Sequence, residues 1–392
     1  MKVLFLCGMY HNDNENEVIE VSKGSVDFAA NIFQRKLLNG FRTVCSDVSV
    51  LSAPFIGSYP NRSKLMFFKG FSKQQDEIRY VEFCNIWGIR NFSRARALKK
   101  ACKEYLDGDG EKILVVYSAH TPFLETAAYI KKRIPQVKIC LVVPDLPQFM
   151  NLAARVSPLY KVAKSLDIKK MHRLMRCVDQ YVLLTDPMKA KLPVGEKSYF
   201  VVEGIVDREE LEKRLPNKEV GVDQVKHIVY TGTLNERYGV KTLVEEFVKN
   251  TDQTLRLVIC GRGDSETYIQ QCAQKDNRIF FLGQVTPKVA REWICKADVL
   301  VNPRPNDEEY TKYSFPSKNI EYLLSGNPVV CYKLDGMPEH YSRFVSFVYD
   351  RSELMTKIIS AIDTNNGQDF FEYANQYLRN DRIAQRIIDM NG

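Results

Sequence analysis

Tyr313-Ser-Phe-Pro-Ser-Lys318-Asn-Ile-Glu321-Tyr-Leu-Leu-Ser-Gly326-Asn-Pro328-Val-Val330 reads as a loop, a helix, a tight turn and a buried strand in succession. Ser314 or Ser317 can cap the helix, and Pro316 suits a first turn, where a missing N–H costs nothing. Ile320, Leu323 and Leu324 share one helical face. Gly326 supplies the left-handed residue that stops the helix, Pro328 blocks its continuation, and Val329–Tyr332 is an apolar strand. The unpaired N–H groups at the helix start, with Lys318 beside them, suit a phosphate. Glu321, about one turn in, can accept a hydrogen bond from a sugar or ribose hydroxyl. The same pattern also describes an ordinary loop–helix–strand unit with an exposed carboxylate.

Working outward, apolar runs suited to strands alternate with helical ones, which predicts an α/β chain with parallel sheets. Its 392 residues, 45% of them apolar, suffice for two domains. No run of about 18 apolar residues occurs, so no transmembrane helix is expected. Met1–Gly8 is too short for a signal peptide and reads as a first strand ending in a glycine turn. The ten cysteines show no Cys-x-x-Cys and no zinc spacing; several sit in apolar runs, as reduced cytosolic cysteines do. No metal motif stands out. The net charge of +8 fits an anionic substrate, an anionic membrane or nucleic acid, but the cations are not grouped with a nucleic-acid recognition motif.

Glu321-Tyr-Leu-Leu-Ser-Gly-Asn-Pro-Val-Val330 resembles the Glu-Ala-Met-Ala-x-Gly-x-Pro-Val-Val signature of family 4 retaining glycosyltransferases, in the Pro-Ser-Lys-x-x-Glu-Tyr variant of bacterial polysaccharide enzymes. The resemblance implies the GT-B fold, two facing Rossmann-like domains with a sugar nucleotide in the cleft. It makes Glu321 the second Glu of the family's Glu-x7-Glu motif, which binds the ribose. The first Glu falls on Tyr313, and Phe315-Pro316 stands where the family has Phe-Gly, so these residues, with Ser317, become donor-site candidates in altered form. His227–Leu234 resembles the strand and Gly-Arg-Leu turn that opens the second domain, with Gly232 kept and Thr233 in place of the Arg. The family's Lys falls on Tyr238, leaving Arg237 next door as a substitute. Leu282-Gly283-Gln-Val285 resembles the loop that touches the base. Arg304, after Ala297–Asn302, faces the same cleft in that fold, and Arg262 is a further candidate for the diphosphate.

In the first half, Ser118-Ala-His120-Thr-Pro122 resembles the family's His loop beside the donor sugar, though a lone His is also a common structural residue. Asp145, between Pro144 and Pro147 at a strand's end, can take a proton from an acceptor hydroxyl or can fix the turn. Gly24 and Ser25 lead into a helix, Phe28–Leu38, whose start lines the cleft in the family; a plain helix start is the simpler reading of them. Residues 12–17 read as a polar loop. Two segments suit an anionic lipid surface: 62–73, where aromatics interleave with cations, and the basic face Lys169, Lys170, Arg173 and Arg176 opposite an apolar one. Inward-packed aromatics and a solvated face are the plainer readings. The expected domains are 1–207 for the acceptor, a linker 208–225 and 226–369 for the donor, with a helical region 370–392 crossing back to the first.

The expected activity is retaining, metal-independent transfer of a sugar from a nucleoside diphosphate, chiefly UDP, to a lipid-linked saccharide at the cytoplasmic face of the membrane, in exopolysaccharide, capsule or O-antigen synthesis. No cofactor is expected. Lys318, Arg237 and the amides of 316–318 are expected to meet the charge of the leaving diphosphate. The missing Glu, Arg and Lys also fit a catalytically silent partner subunit, and a GT-B sugar-nucleotide epimerase is a further alternative.

Overall fold

The computed structural model describes residues 1–24, 26, 28–73, 77–105, 110–149, 158–212, 225–362, 364 and 367–390. They divide into two units, Met1–Asp207 with Tyr377–Gly392, and Arg208–Gln376. The first unit contains strands β1 (Lys2–Cys7), β2 (Asp47–Ser52), β3 (Phe67–Phe68), β4 (Arg79–Tyr80), β5 (Phe83–Cys84), β6 (Lys112–Tyr117), β7 (Lys138–Val143), β8 (Gln180–Leu183) and β9 (Ser198–Val201). Its first helices are α1 (Glu15–Val21), α2 (Phe28–Val44), α3 (Arg90–Ala101), α4 (Thr121–Arg133) and α5 (Pro158–Leu174). The strands β4-β2-β1-β6-β7-β8-β9 form one parallel sheet, and β3 pairs with β5 antiparallel. β1, β6 and β7 are buried from their second residue on, because a parallel sheet is covered on both faces and needs unbroken apolar runs.

The second unit opens with the short helix α6 (Arg208–Glu212); most of the expected linker lies outside the described residues. Its strands are β10 (Lys226–Thr231), β11 (Leu255–Cys260), β12 (Ile279–Gly283), β13 (Val299–Asn302), β14 (Val329–Tyr332) and β15 (Ser346–Val348). They lie in the order β12-β11-β10-β13-β14-β15, all parallel. The helices are α7 (Val240–Lys249), α8 (Glu266–Lys275), α9 (Pro287–Lys296), α10 (Ser317–Leu323), α11 (Leu354–Ala361) and α12 (Gly367–Tyr373). In each unit the strand order runs outward both ways from a central strand. The switch points, where such sheets bind ligands, therefore lie beyond the C-terminal ends of β1 and β6 in one unit and of β10 and β13 in the other.

Several local expectations change. Residues 12–17, read as a polar loop, form a 3-10 turn running into α1. The helix expected to stop at Asn39-Gly40 runs through to Val44. The region expected as one helical run from Phe370 is three pieces. Phe370 and Tyr373 of α12 are held in the second unit by rings of Tyr341 and Phe344, with centroids 5.2–6.5 Å apart. A π turn (Ala374–Leu378) follows, then α13 (Asn380–Asp389) in the first unit. Ile383, Ala384 and Ile387 of α13 are buried in that unit's core with Phe5, Leu37 and Phe41. Gln180 Nε2 donates to the Ile387 carbonyl at 2.8 Å, the Val206 N–H donates to the Leu378 carbonyl at 2.8 Å, and the Asn380 N–H donates to the Val206 carbonyl at 3.0 Å.

Gly40 thus has a packing role. A Cβ there would stand 2.2 Å from the Asn380 carbonyl oxygen, so only glycine lets α13 cross α2 this closely. Gly40→Ala is expected to destabilise the chain by roughly 1–3 kcal/mol. Hydrogen exchange should show the loss concentrated in 380–389; uniform protection across the mutant would contradict this account.

Candidate functional site

At the second unit's switch point, α10 is fixed to both flanking strands. The Thr231 N–H donates to the Tyr322 hydroxyl oxygen at 2.9 Å, and that hydroxyl donates to the Thr231 carbonyl at 3.0 Å. Burial raises the phenol's pKa, so it keeps its proton. From the other strand, Asn302 Nδ2 donates to Asn319 Oδ1 at 2.7 Å. The expected cap is different: Pro316 itself is the N-cap residue and no side chain caps the helix. Having no N–H, Pro316 cannot contribute an amide to a ligand, so only Ser317 and Lys318 can. Ser317 is the first helical residue, and Ser314 accepts from Arg304 Nη2 at 2.9 Å instead.

Lys318 and Glu321, one turn apart, pair with each other at 2.6 Å, with side chains 38% and 47% exposed. Lys318 also lowers the pKa of the Cys260 thiol, which burial pushes up to about 11, so it lies toward the end of β11. Tyr313 and Phe315 turn inward. Tyr313 is buried, and the Phe315 ring lies 4.9 Å from that of Tyr341, in the aromatic core.

Three glycine-containing turns lie side by side. Gly261 has φ +150°, and a Cβ on it would stand 1.8 Å from the Gly232 oxygen; a Cβ on Gly263 would stand 2.4 Å from the Leu234 carbonyl. Leu234 N–H donates to the Arg262 carbonyl at 3.0 Å and Gly261 N–H to the Gly283 carbonyl at 2.8 Å. Gly232, Arg262 and Gly283 are thereby brought together, with Thr233 and the Arg262 side chain exposed and Val285 half-buried.

Gly239, at φ +75°, packs so closely that a Cβ would stand 1.9 Å from the Pro303 oxygen. This contact sets the turn carrying Arg237 beside Arg304. Both guanidinium groups lie over the Tyr310 ring, at 5.7 and 4.7 Å from its centroid, and Arg304 also lies over Tyr238 at 5.6 Å. Arg237 pairs with Glu308 at 3.3 Å. Arg304 Nε is enclosed without a partner. Sequence reasoning read Tyr238 only as a lost cation and missed Tyr310; their part as ring platforms for Arg304 depends on a loop meeting that no spacing announces.

In the first unit, His120 and Asp145 follow the adjacent strands β6 and β7. His120 is the N-cap residue of α4 but makes no side-chain cap bond. Its ring meets Phe55 and Phe123 at centroid distances of 6.0 and 5.4 Å, and its Nδ1 is enclosed without a partner. Burial first, then the nearby Arg94 and Arg90, hold its pKa well below the usual 6.5, so the imidazole is neutral at neutral pH. Two residues earlier Ser118 sits at φ +72°, uncommon outside glycine, with its hydroxyl also enclosed and unpaired. Asp145 is exposed. Gly24, exposed at φ +109°, lies in the α1–α2 connection, where an added Cβ would meet nothing within 4 Å among the described residues. Ser25 lies outside the described residues.

Residues 225–364 match the family model of glycosyl transferases group 1. No protein of curated function matches the chain's sequence. Among solved structures, the chain is similar to sucrose-phosphate synthase from Thermosynechococcus elongatus, at TM-score 0.61 and 14% identity, over 100% of this chain and 98% of that one. It is similar to the lipopolysaccharide outer core galactosyltransferase WaaB at TM-score 0.62 and 12% identity, over 100% and 99%. It is also similar to Anabaena HepE in complex with UDP at TM-score 0.62 and 14% identity, over 99% of each. These likenesses show the GT-B fold.

The depressed pKa of His120 has a signed consequence. In the unfolded chain the imidazole takes a proton near 6.5, whereas in the folded chain it resists. Its contribution to stability is therefore full above that pH and falls as pH drops toward the folded value. Denaturant titrations from neutral pH down to about pH 5 should show a smaller fall in stability for His120→Asn than for wild type. Equal falls would mean that His120 protonates freely in the fold.

Proposed function

We propose that this chain, whose residues 225–364 match the group 1 glycosyl transferases and which has the GT-B fold, is a retaining glycosyltransferase using a nucleoside diphosphate sugar. The observation that carries this reading is the group of Arg237, Arg304, Lys318 and Glu321 around the second unit's switch point, next to the joined glycine turns. Glu321 accepts from the ribose hydroxyls and Lys318 turns from Glu321 to the diphosphate. Arg237 or Arg304 adds a second cation, in place of the charge missing at Thr233 and Tyr238. UDP as the nucleotide is supported by the UDP bound in the HepE structure.

In the reaction the anomeric carbon–oxygen bond to the diphosphate breaks, and a bond to an acceptor hydroxyl oxygen forms on the same face of the sugar. The hydroxyl proton goes to Asp145, and the electron pair of the broken bond stays on the phosphate oxygen. The side-chain cations stabilise that oxygen as charge gathers on it. His120, neutral and half-buried, hydrogen-bonds a sugar hydroxyl rather than supplying charge. The acceptor we propose is a lipid-linked saccharide in cell-surface polysaccharide synthesis, reached from the cytoplasmic face of an anionic membrane. The likeness to WaaB, a lipopolysaccharide outer core galactosyltransferase, and the basic segments of the first unit support this.

A silent nucleotide-binding subunit is favoured by one observation. Tyr313, where the family carries its sugar-binding Glu, is buried and offers no carboxylate. Two measurements separate the readings. UDP should raise the thermal midpoint of wild type and do so less for Glu321→Ala. With saturating donor and membranes carrying acceptor, Lys318→Ala should lower turnover roughly tenfold to a thousandfold. Normal turnover in Lys318→Ala with loss in Arg237→Ala or Arg304→Ala would move the charge to the Tyr310 pair. UDP binding without UDP-sugar turnover in wild type would favour the silent subunit.

A further inference from the structure

We propose that the first unit docks on an anionic lipid bilayer through two apolar projections on one rim of its sheet, the β3–β5/α3 corner and the first half of α5. The inference deepens the membrane partner proposed above and rests on that reading only for the identity of the acceptor.

Six large apolar side chains stand exposed on these two projections: Phe67 (52%), Trp87 (60%), Ile89 (53%) and Phe92 (69%) on one, Val162 (58%) and Leu166 (62%) on the other. The first four are drawn together by backbone pairing. Phe67 lies opposite Cys84, Asn85 N–H donates to the Met66 carbonyl at 2.8 Å, and Ile89 and Arg90 close a turn onto Ile86. The neighbouring Phe68, Phe71 and Phe83 point inward and stack on one another, so the plainer reading of 62–73 holds for Phe68 and Phe71 but not for Phe67.

The two projections share a side of the unit. Glu125 of α4 pairs with Lys99 of α3 at 2.7 Å and with Lys170 of α5 at 2.5 Å, so α3, α4 and α5 lie abreast. α3 leads into β6 and α4 leads out of it, so both start at the sheet's C-terminal rim. Thr121 Oγ1 donates to Asp167 at 2.6 Å, which makes α5 parallel to α4 and sets Asp167 level with the α4 start. The part of α5 before Asp167 therefore runs on past the rim for roughly 13 Å. By the Lys99–Glu125 pairing, Ile89 and Phe92 also lie beyond the α4 start. Val162 and Leu166 share a helical stripe with Lys169 and Arg173, and Asp167, bonded to α4, points away from that stripe.

Charge chooses the occupant. Residues 60–103 carry eleven Lys or Arg against three Asp or Glu, and residues 158–176 carry six against one. Lys64, Lys69, Lys73 and Arg96 are exposed around the first projection, and Lys161, Lys169 and Arg173 around the second. Exposed aromatic and aliphatic tips ringed by cations match the boundary between acyl chains and anionic headgroups. A second copy of this chain would set like charges against each other, which opposes self-association. Among the described residues no helix is long and apolar enough to cross a membrane, and none is needed for this mode of attachment.

The full chain has two tryptophans, so Trp293→Phe leaves Trp87 as sole reporter. Its emission should shift to the blue on adding phosphatidylglycerol/phosphatidylcholine vesicles, be quenched by brominated lipid, and return at high salt. Trp87→Ser/Ile89→Ser/Phe92→Ser and, separately, Val162→Ser/Leu166→Ser should each weaken vesicle cosedimentation roughly tenfold. Both should keep wild-type circular dichroism and thermal midpoint. An unmoved Trp87 emission, or equal cosedimentation of both variants and wild type, would overturn the proposal. So would a wild-type dimer that the triple variant converts to monomer without any lipid response. The UDP thermal shift is a separate arm, expected equal in all three proteins. Its absence from wild type would remove the donor reading while the Trp87 response still decided the lipid surface.

Discussion

One phenol hydroxyl holds the second unit's site in register. Tyr322 accepts from the Thr231 N–H and donates to the Thr231 carbonyl, where β10 has run past its pairing with β13. Those two backbone groups are buried, and leaving a buried donor or acceptor unmade costs about 1–3 kcal/mol each. The bond therefore fixes where α10 begins and which way Glu321 and Lys318 point. Asn319, bonded to Asn302, repeats the tether from β13, so the helix is hung from both strands that flank the switch point. The glycine turns close around the same strand ends, since each has a backbone neighbour where a side chain would stand.

The charges on this frame are held in two ways. Lys318 and Glu321 form an exposed pair, and such pairs contribute about 0–1 kcal/mol, so a ligand that offers a phosphate and a hydroxyl can separate them at little expense. Arg304 is placed more firmly, between the rings of Tyr238 and Tyr310 and on Ser314, with one N–H still unmatched. Tyr238, which carries no charge itself, thus supports an arginine with its ring.

The frame was legible in the sequence and much of the site was not. Unbroken apolar runs announce β1, β6 and β7, and Gly326 at φ +78° ends the helix where glycine chemistry says it should. Helical spacing alone sets Glu321 and Lys318 one turn apart, whereas their choice as ligand groups rests on the family resemblance. Gly40 misled because a glycine after Asn39 reads as a stop, whereas here it makes room for a helix from 340 residues further along the chain. Position in a motif makes Phe315 and Tyr313 candidates for ligand contact, but an aromatic beside a loop is equally suited to a core, and here tertiary neighbours such as Tyr341 bury Phe315. Trp87, Ile89 and Phe92 gave no signal at all, since exposure of an apolar residue is a property of the packed chain.

The return of α13 carries a consequence for biosynthesis. The first unit's core lacks Ile383, Ala384 and Ile387 until residues beyond the second unit have been made. Residues 208–376 separate the two parts, and at cellular elongation speeds they take on the order of ten to thirty seconds to produce. During that interval α2 presents Leu37 and Phe41 without their covering helix. The second unit is contiguous and can close by itself as it emerges, so the half made first is the half completed last.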